Sequence, residues 1–247
     1  MRNTPDRHGV HAAIGSAPSL TSLLHDTPFD SHVDALIQPS DNQWAINRPL
    51  AQLLYRLVLD FDRRSVLEFG AGSSSLILAA ALSRAGRGRL TSVEHQPEFC
   101  QAQWRKVGDY QAVDSCLLIS RLALRPSRYG LMYGYPDANT RLAERGPFDL
   151  ILIDAPPGDF GRDGPLYDAY PHLAPGAIVV LDDASRWREQ TAIRRWLRTF
   201  PGLHLAVLDE QHGRGTAVLT HDGEKSSRVV LRVIAGTVHD RVVELLR

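Results

Sequence analysis

The sequence has few cysteines, no long apolar run and no excess of either charge. Its two cysteines, Cys100 and Cys116, are too few for a disulfide framework and lack the clustering of a zinc site. No apolar stretch reaches the roughly 18 residues of a transmembrane helix, and the polar start MRNTPDRHGV does not resemble a signal peptide. We therefore expect a cytoplasmic protein with buried thiols.

The charges balance, because lysine plus arginine and aspartate plus glutamate each total 28. Such a chain has no global electrostatic attraction for nucleic acid or an anionic membrane, so we expect a small-molecule partner instead. The stretch RWREQTAIRRWLR offers aromatic rings and arginines that could meet bases and phosphates. However, Ile193, Trp196 and Leu197 fall on one helical face, which favours packing on a sheet with the arginines in solvent.

Short apolar segments alternate with helical ones, which is typical of a parallel sheet covered on both faces. The predicted strands of this kind are SVLEFG, LTSVEH, CLLISRLAL (116–124), FDLILIDA (148–155) and GAIVVLDDA (176–184). LHLAVLDE and TAVLTH flank a glycine-containing turn and predict a hairpin. We predict an α/β fold: a Rossmann-like, doubly wound, seven-stranded and mostly parallel sheet with an antiparallel edge strand.

Three regions are expected along the chain. Residues 1–43 form an N-terminal arm or lid, and residues 44–221 form the main domain, in which Trp44 and Asn47 could close over a ligand. Residues 222–247 form a C-terminal extension, predicted as the strand RVVLRVIAG followed by a helix. The main domain does not obviously need this extension, so it is a candidate homo-oligomer contact.

A glycine turn and a following acid indicate a nucleoside site. Gly70 and Gly72 lie between a predicted strand and a predicted helix, where a ligand can approach the backbone. Ser75 stands where a dinucleotide fingerprint has its third glycine, which disfavours a pyrophosphate. Glu94 lies 22 residues after Gly72, at a strand end that suits hydrogen bonds to ribose hydroxyls.

The flanking motifs resemble those of class I S-adenosylmethionine-dependent methyltransferases. VLEFGAGSSS is similar to the first motif, TSVEH to the second, FDLILIDAPPG to the fourth, and LAPGAIVVLDDASR to the segment around the fifth strand. The resemblance runs from about Trp44 to about His221. It implies S-adenosylmethionine as cofactor, with Glu68 near its methionine part. The implied cofactor-binding residues are Glu68, Gly70, Gly72, Ser73, Ser74, Glu94, His95 and Asp154.

Three carboxylates close the fourth and fifth strands. Asp154, Asp182 and Asp183 should emerge together, and clustered carboxylates need a compensating positive charge. The pattern resembles the magnesium site of catechol O-methyltransferase-like enzymes, although Asp183 stands where those enzymes have an amide. One interpretation is therefore a Mg²⁺ site made by all three. The other is that Asp154 contacts cofactor or substrate, while Asp182 or Asp183 pairs with Arg186 or caps the next helix.

The resemblance implies methyl transfer to a hydroxyl, or an amine, of a small molecule, with Asp154 or Asp183 accepting the proton. The loop from Ala155, which carries Arg162 and His172, is a candidate lining of the acceptor pocket, and His172 a candidate base. A nucleotide-dependent dehydrogenase and a non-catalytic cofactor-binding protein are the alternatives. The acceptor itself is not identified by any motif.

Overall fold

Strands and helices alternate along the chain, as predicted. The computed structural model describes residue 20 and residues 30–37, 46–210, 214–228 and 230–246. The strands are β1 (Ser65–Phe69), β2 (Gly88–Glu94), β3 (Val113–Ile119), β4 (Ala123–Ser127), β5 (Gly130–Gly134), β6 (Phe148–Ile153), β7 (Leu173–Asp182), β8 (Leu203–Asp209) and β9 (Thr216–His221). The α-helices are α1 (Ser31–Leu36), α2 (Arg48–Asp60), α3 (Ser73–Arg84), α4 (Pro97–Val107), α5 (Asn139–Arg145), α6 (Gly164–Ala169), α7 (Trp187–Thr199) and α8 (Leu231–Leu245).

Seven strands form one sheet in the order β3-β2-β1-β6-β7-β9-β8. The first five strands of that order are mutually parallel. β9 runs antiparallel to β7, and β8 pairs antiparallel with β9 at the edge. The predicted doubly wound, mostly parallel sheet is thus confirmed. The chain's path reverses between β1 and β6, so the carboxyl ends of these neighbours open a crevice where ligands bind in such sheets.

The parallel strands are buried on both faces, because alternate residues enter two different cores. In β6, Ile151 and Ile153 pack with Trp196 of α7 on one face. Leu150 and Leu152 pack on the other face with helices α2 and α3. Trp196 is fully buried, and its indole nitrogen donates to the Asp163 carbonyl at 3.0 Å. The predicted sheet-facing side of α7 is confirmed.

The prediction of one strand over residues 116–124 is wrong in its second half. β3 ends at Ile119, and the chain leaves the large sheet to form a separate hairpin of β4 and β5. Gly130 has φ +127°, and a Cβ atom there would lie within 1.7 Å of the Thr237 hydroxyl. The turn therefore needs glycine in order to bring the hairpin against α8.

The strand predicted after residue 228 is also wrong. Residues from Leu231 to Leu245 form one continuous helix, α8, which lies against β5. Among the side chains of α8 that the structure describes, those of Val233, Thr237 and Arg241 are buried, and their spacing of four is helical rather than β. Packing on the hairpin thus overrides the β preference of the branched side chains. No structural observation tests an oligomer contact.

Much of the predicted N-terminal arm lies outside the described residues, as does Trp44 at the start of the predicted main domain. Within it, α1 buries Val33 among the core side chains of α2 and α3, and Asp34 pairs with Arg48 at 2.5 Å. Among the described residues, no helix is both long and apolar enough to cross a membrane.

Candidate active site

The glycine turn after β1 is tightly packed on one side. Gly70 has φ +97°, and a Cβ atom at this position would lie 2.9 Å from Ala155 Cβ. Its N–H donates to the Val93 carbonyl at 2.9 Å, while Asp154 N–H donates to the Phe69 carbonyl at 2.9 Å. Both the backbone conformation and the close approach therefore require glycine. This contact joins the ends of β1 and β6.

The other side of the turn is open. Gly72 has an extended backbone at φ 178°, and a Cβ atom there would meet nothing within 4 Å. Gly72 N–H donates to Ser75 Oγ at 3.0 Å, so the third residue of α3 fixes the helix start. The N–H groups at the beginning of α3 face this side, where an electronegative ligand group is favoured.

Glu68 lies behind the turn and does not line the pocket. Its side chain is fully buried, and Oε2 accepts hydrogen bonds from Ser75 Oγ at 2.6 Å and Ser92 Oγ at 2.5 Å. Burial raises the pKa of Glu68 to about 7, although these hydroxyls favour the ionised form. Direct contact between Glu68 and a cofactor stays a prediction; the structure shows that Glu68 supports the turn.

Glu94 at the end of β2 connects the turn to the next helix. Oε2 accepts from Ala71 N–H at 3.1 Å, and Oε1 accepts from the N–H groups of His95 and Gln96 at 2.6 and 2.8 Å. The carboxylate is thus fixed by backbone donors at the edge of the crevice. His95 Nδ1 lies 2.9 Å from Glu94 Oε1, and its ring meets Tyr135 edge-on.

A cavity of about 320 Å³ joins the turn to the strand-end carboxylates. The predicted residues that line it are Gly70, Gly72, Ser73, Ser74, Glu94, His95, Asp154, Asp182 and Asp183. Phe99, Pro157, Arg162 and Arg214 also line it. His172 does not: it lies just before β7, whereas Asp182 ends that strand. The predicted strand-end aspartates therefore lie together around the cavity, but His172 is not among the lining residues.

Arg162 is the cation at the centre of the carboxylates. Its side chain is 4% exposed, and Nη2 lies 3.0 Å from Asp154 Oδ1 and 2.9 Å from Asp183 Oδ2. Nη1 donates to the Asp182 carbonyl at 2.9 Å and Nε to the Pro156 carbonyl at 3.2 Å. Burial alone would lower the pKa of Arg162, but the surrounding carboxylates outweigh burial and raise it.

Asp183 is surrounded by arginines. Besides Arg162, Arg186 Nη1 lies 2.8 Å from Oδ2, and Arg214 Nε lies 2.9 Å from Oδ1. Asp183 also has φ +59°, a left-handed conformation that aspartate tolerates better than most residues. The predicted pairing with Arg186 is confirmed.

Arg162 does not fully offset the effect of burial on Asp154 and Asp182. Burial raises the pKa of Asp154 well above its usual range, and the neighbouring Asp182 and Asp183 raise it further despite Arg162. Burial and Asp183 likewise raise the pKa of Asp182. A carboxylate with a raised pKa is a better proton acceptor once ionised.

The three aspartates bring ligand atoms within 4.8 Å of one another. This spacing alone would suit a divalent ion. However, Mg²⁺ needs carboxylate oxygens at about 2.0–2.1 Å, and the oxygens of Asp154 and Asp183 that face each other already share Arg162 Nη2. An ion bridging both would meet the guanidinium. The donor set as a whole does not fit Mg²⁺.

Sequence reasoning missed the role of Arg162. It identified the need for a positive charge among the aspartates, and it placed Arg162 in the loop after Asp154, but did not connect the two. The useful signal was that this loop begins directly at the strand-end acid. Arg214 was missed because it reaches Asp183 from the turn region before β9, far along the chain.

Residues 67–184 match a family model described as a methyltransferase domain. This segment of the chain is a methyltransferase domain. The matched segment runs from β1 to the residue after Asp183, so it contains the glycine turn, Glu94 and all three aspartates. This match favours the methyltransferase prediction over the dehydrogenase. No curated protein matches the sequence.

Several solved structures share the fold. Cofactor-bound Rv0187 from MTB is 22% identical with a TM-score of 0.53, covering 86% of this chain and 94% of its own. An O-methyltransferase from Bacillus cereus in complex with SAH is 18% identical with a TM-score of 0.55, covering 81% and 95%. The SAH-bound methyltransferase PaMTH1 of Podospora anserina is 17% identical with a TM-score of 0.53, covering 77% and 86%.

Proposed function

We propose that this methyltransferase transfers the methyl group of S-adenosylmethionine to a hydroxyl oxygen of a small molecule. The observation that carries the proposal is one cavity that joins a nucleoside-type cradle to a partly buried aspartate. Gly70, Gly72 and Glu94 lie on the cradle side, and Asp154 lies across the crevice at the end of β6. The SAH complexes of the Bacillus cereus and Podospora anserina proteins support this choice of cofactor.

The cofactor is expected to lie along the carboxyl ends of β1 and β2. Gly72 leaves space for close approach to the backbone, and Glu94 accepts hydrogen bonds from the ribose hydroxyls. His95 and the 55%-exposed ring of Phe99 offer apolar faces to the adenine. The sulfonium and its methyl group would then point toward Asp154.

A second cavity of about 460 Å³ adjoins the first and is the proposed acceptor site. The two cavities share Pro157 and Arg214. The 62%-exposed indole of Trp187 and the arginines at 186 and 188 also line it. Such a surface suits a planar acceptor with polar substituents.

Methyl transfer requires alignment and removal of one proton. The acceptor oxygen attacks the methyl carbon, the carbon–sulfur bond breaks, and S-adenosylhomocysteine leaves with the electron pair on sulfur. Asp154 accepts the hydroxyl proton. Asp183 is less suited to this role because its oxygens already meet three arginines. An amine acceptor would lose its proton in the same way.

Isothermal titration calorimetry with S-adenosylhomocysteine tests the cofactor site. Glu94→Gln keeps the side-chain size but should weaken binding about 10- to 100-fold, because a hydrogen bond to a charged group contributes about 1.5–3 kcal/mol. Glu144→Gln, on an exposed face, is the matched control and should bind normally. NAD binding with no affinity for S-adenosylhomocysteine would refute the proposed function.

Labelled S-adenosylmethionine and a fractionated extract test turnover and reveal the acceptor. Asp154→Asn should retain cofactor affinity and lose labelled product. If Asp154→Asn forms labelled product at the wild-type rate, Asp154 does not accept the proton. If the wild-type protein binds the cofactor but forms no product, a non-catalytic role is favoured.

A further inference from the structure

Arg162 is held rigidly where the strand-end carboxylates converge. Four acceptors surround one buried guanidinium: the carboxylates of Asp154 and Asp183, and the carbonyls of Asp182 and Pro156. These contacts use four of its five N–H donors. A side chain with so many fixed partners cannot leave without exposing several buried acceptors, which is costly.

The next residue anchors the loop that carries Arg162. Asp163 is 2% exposed, and its carboxylate pairs with Arg195 Nη1 at 3.0 Å and Arg241 Nη2 at 3.3 Å. Arg195 belongs to α7 and Arg241 to α8, so two helices fix the loop. The position of Arg162 is therefore built into the fold.

We propose that Arg162 supplies the positive charge that a divalent cation would otherwise supply among the strand-end aspartates, and that this chain binds no metal at the three aspartates. The carboxylates of Asp154 and Asp183 face three guanidinium groups, those of Arg162, Arg186 and Arg214, and the Asp182 carboxylate lies beside them. The formal charges of this cluster already cancel. A divalent ion would add repulsion from a guanidinium that lies about 3 Å from the same oxygens.

Arg162 is a positioning residue in this arrangement. It holds Asp154 Oδ1 through a charge-assisted hydrogen bond and so orients the carboxylate toward the cavity. Only this consequence rests on the proposed function. The metal independence of the site is a property of the folded chain and can be tested without knowing the acceptor.

Titration of chelator-treated protein with Mn²⁺, followed by electron paramagnetic resonance of the free ion, tests the proposal directly. The wild-type protein should show no saturable site at millimolar Mn²⁺, with or without S-adenosylhomocysteine. Its melting temperature should not move with Mn²⁺. One equivalent of bound Mn²⁺ that is lost in Asp154→Asn and in Asp182→Asn would overturn the proposal.

Arg162→Met provides the converse experiment, with Arg194→Met on the exposed face of α7 as the matched control. Loss of the guanidinium should lower the melting temperature, and Mn²⁺ should restore part of the loss because the aspartates then lack a counter-ion. An unchanged melting temperature in Arg162→Met, or a loss that Mn²⁺ does not reduce, would contradict the equivalence of guanidinium and metal. If this variant does not fold, the wild-type titration still decides.

Binding of S-adenosylhomocysteine, measured on the same samples, separates this proposal from the proposed function. Protein that binds S-adenosylhomocysteine and also binds Mn²⁺ at the aspartates would refute only the metal-independent site. Protein that binds neither would refute the proposed function and leave the proposal about Arg162 supported.

Discussion

Replacing Glu68 by glutamine should change how the stability of this protein depends on pH. Glu68 is fully buried behind the glycine turn, and burial raises its pKa from 4.5 to about 7. The folded state therefore binds a proton more tightly than the unfolded state. Below about pH 4.5 the carboxyl is protonated in both states, so burial costs little there. As the pH rises through 7, the folded protein must hold a buried charge and loses stability.

The size of the effect follows from the two pKa values. The interval between 4.5 and about 7, at about 1.4 kcal/mol for each pKa unit, corresponds to about 3 kcal/mol. About 2.5 kcal/mol of this falls between pH 5 and pH 8. For a chain of 247 residues, such a change moves the melting temperature by roughly 5–10 °C.

Urea denaturation at pH 5, 6, 7 and 8, at constant ionic strength, measures this difference. Other buried carboxyls, such as Asp154, are common to both proteins, so subtracting the Glu68→Gln curve from the wild-type curve isolates Glu68. Relative to the wild type, the free energy of unfolding of Glu68→Gln should increase by about 2.5 kcal/mol from pH 5 to pH 8. A constant difference across this range would refute the reasoning, because Glu68 would then keep an ordinary pKa. Glu144→Gln should run parallel to the wild type.

Two glycine substitutions and one ion-pair substitution test other parts of the site. Gly70→Ala should lower the free energy of unfolding by about 2 kcal/mol, because alanine would have to adopt φ +97° against Ala155; unchanged urea unfolding would contradict this. Gly72→Val should leave the free energy of unfolding nearly unchanged, but its side chain should block the open side of the turn and weaken cofactor binding. Wild-type affinity for S-adenosylhomocysteine in calorimetry would refute this prediction. Asp163→Asn should cost about 3 kcal/mol and speed amide exchange in α8, since it breaks the buried pairs with Arg195 and Arg241; unchanged exchange would argue against the anchoring.

The sheet and the cofactor side of the site were predictable from the sequence because local patterns determine them. Strands such as LILI (150–153) are apolar at every position, as residues buried on both faces must be. The glycine turn and Glu94 lie at strand ends, so the topology alone brings them to one edge. The local sequence pattern therefore predicts most of the residues that line the cavity on the cofactor side.

The hairpin and the last helix were not predictable in this way. In CLLISRLAL only Ser120 and Arg121 interrupt the apolar residues, which resume at Leu122, so the pattern does not distinguish the end of β3 at Ile119 from a continuing strand. The segment from Leu231 is rich in branched residues that favour strands in isolation. Its helical form is decided by Val233, Thr237 and Arg241, whose partners lie on the hairpin and the loop at Asp163. Contacts between residues far apart in the chain therefore determine the conformation of both the hairpin and the last helix.

The same ion pairs give the C-terminal extension a function within its own chain. Arg241 of α8 pairs with Asp163. Asp163 directly follows Arg162, which pairs with Asp154 and Asp183. An element that the sheet does not require thus fixes the loop on which the charge balance of the site depends. Exposed apolar residues, among them Leu231 and Val238, remain on the outer part of α8. An oligomer contact there, which stays a prediction, would add to this role rather than replace it, because the buried face already serves the site.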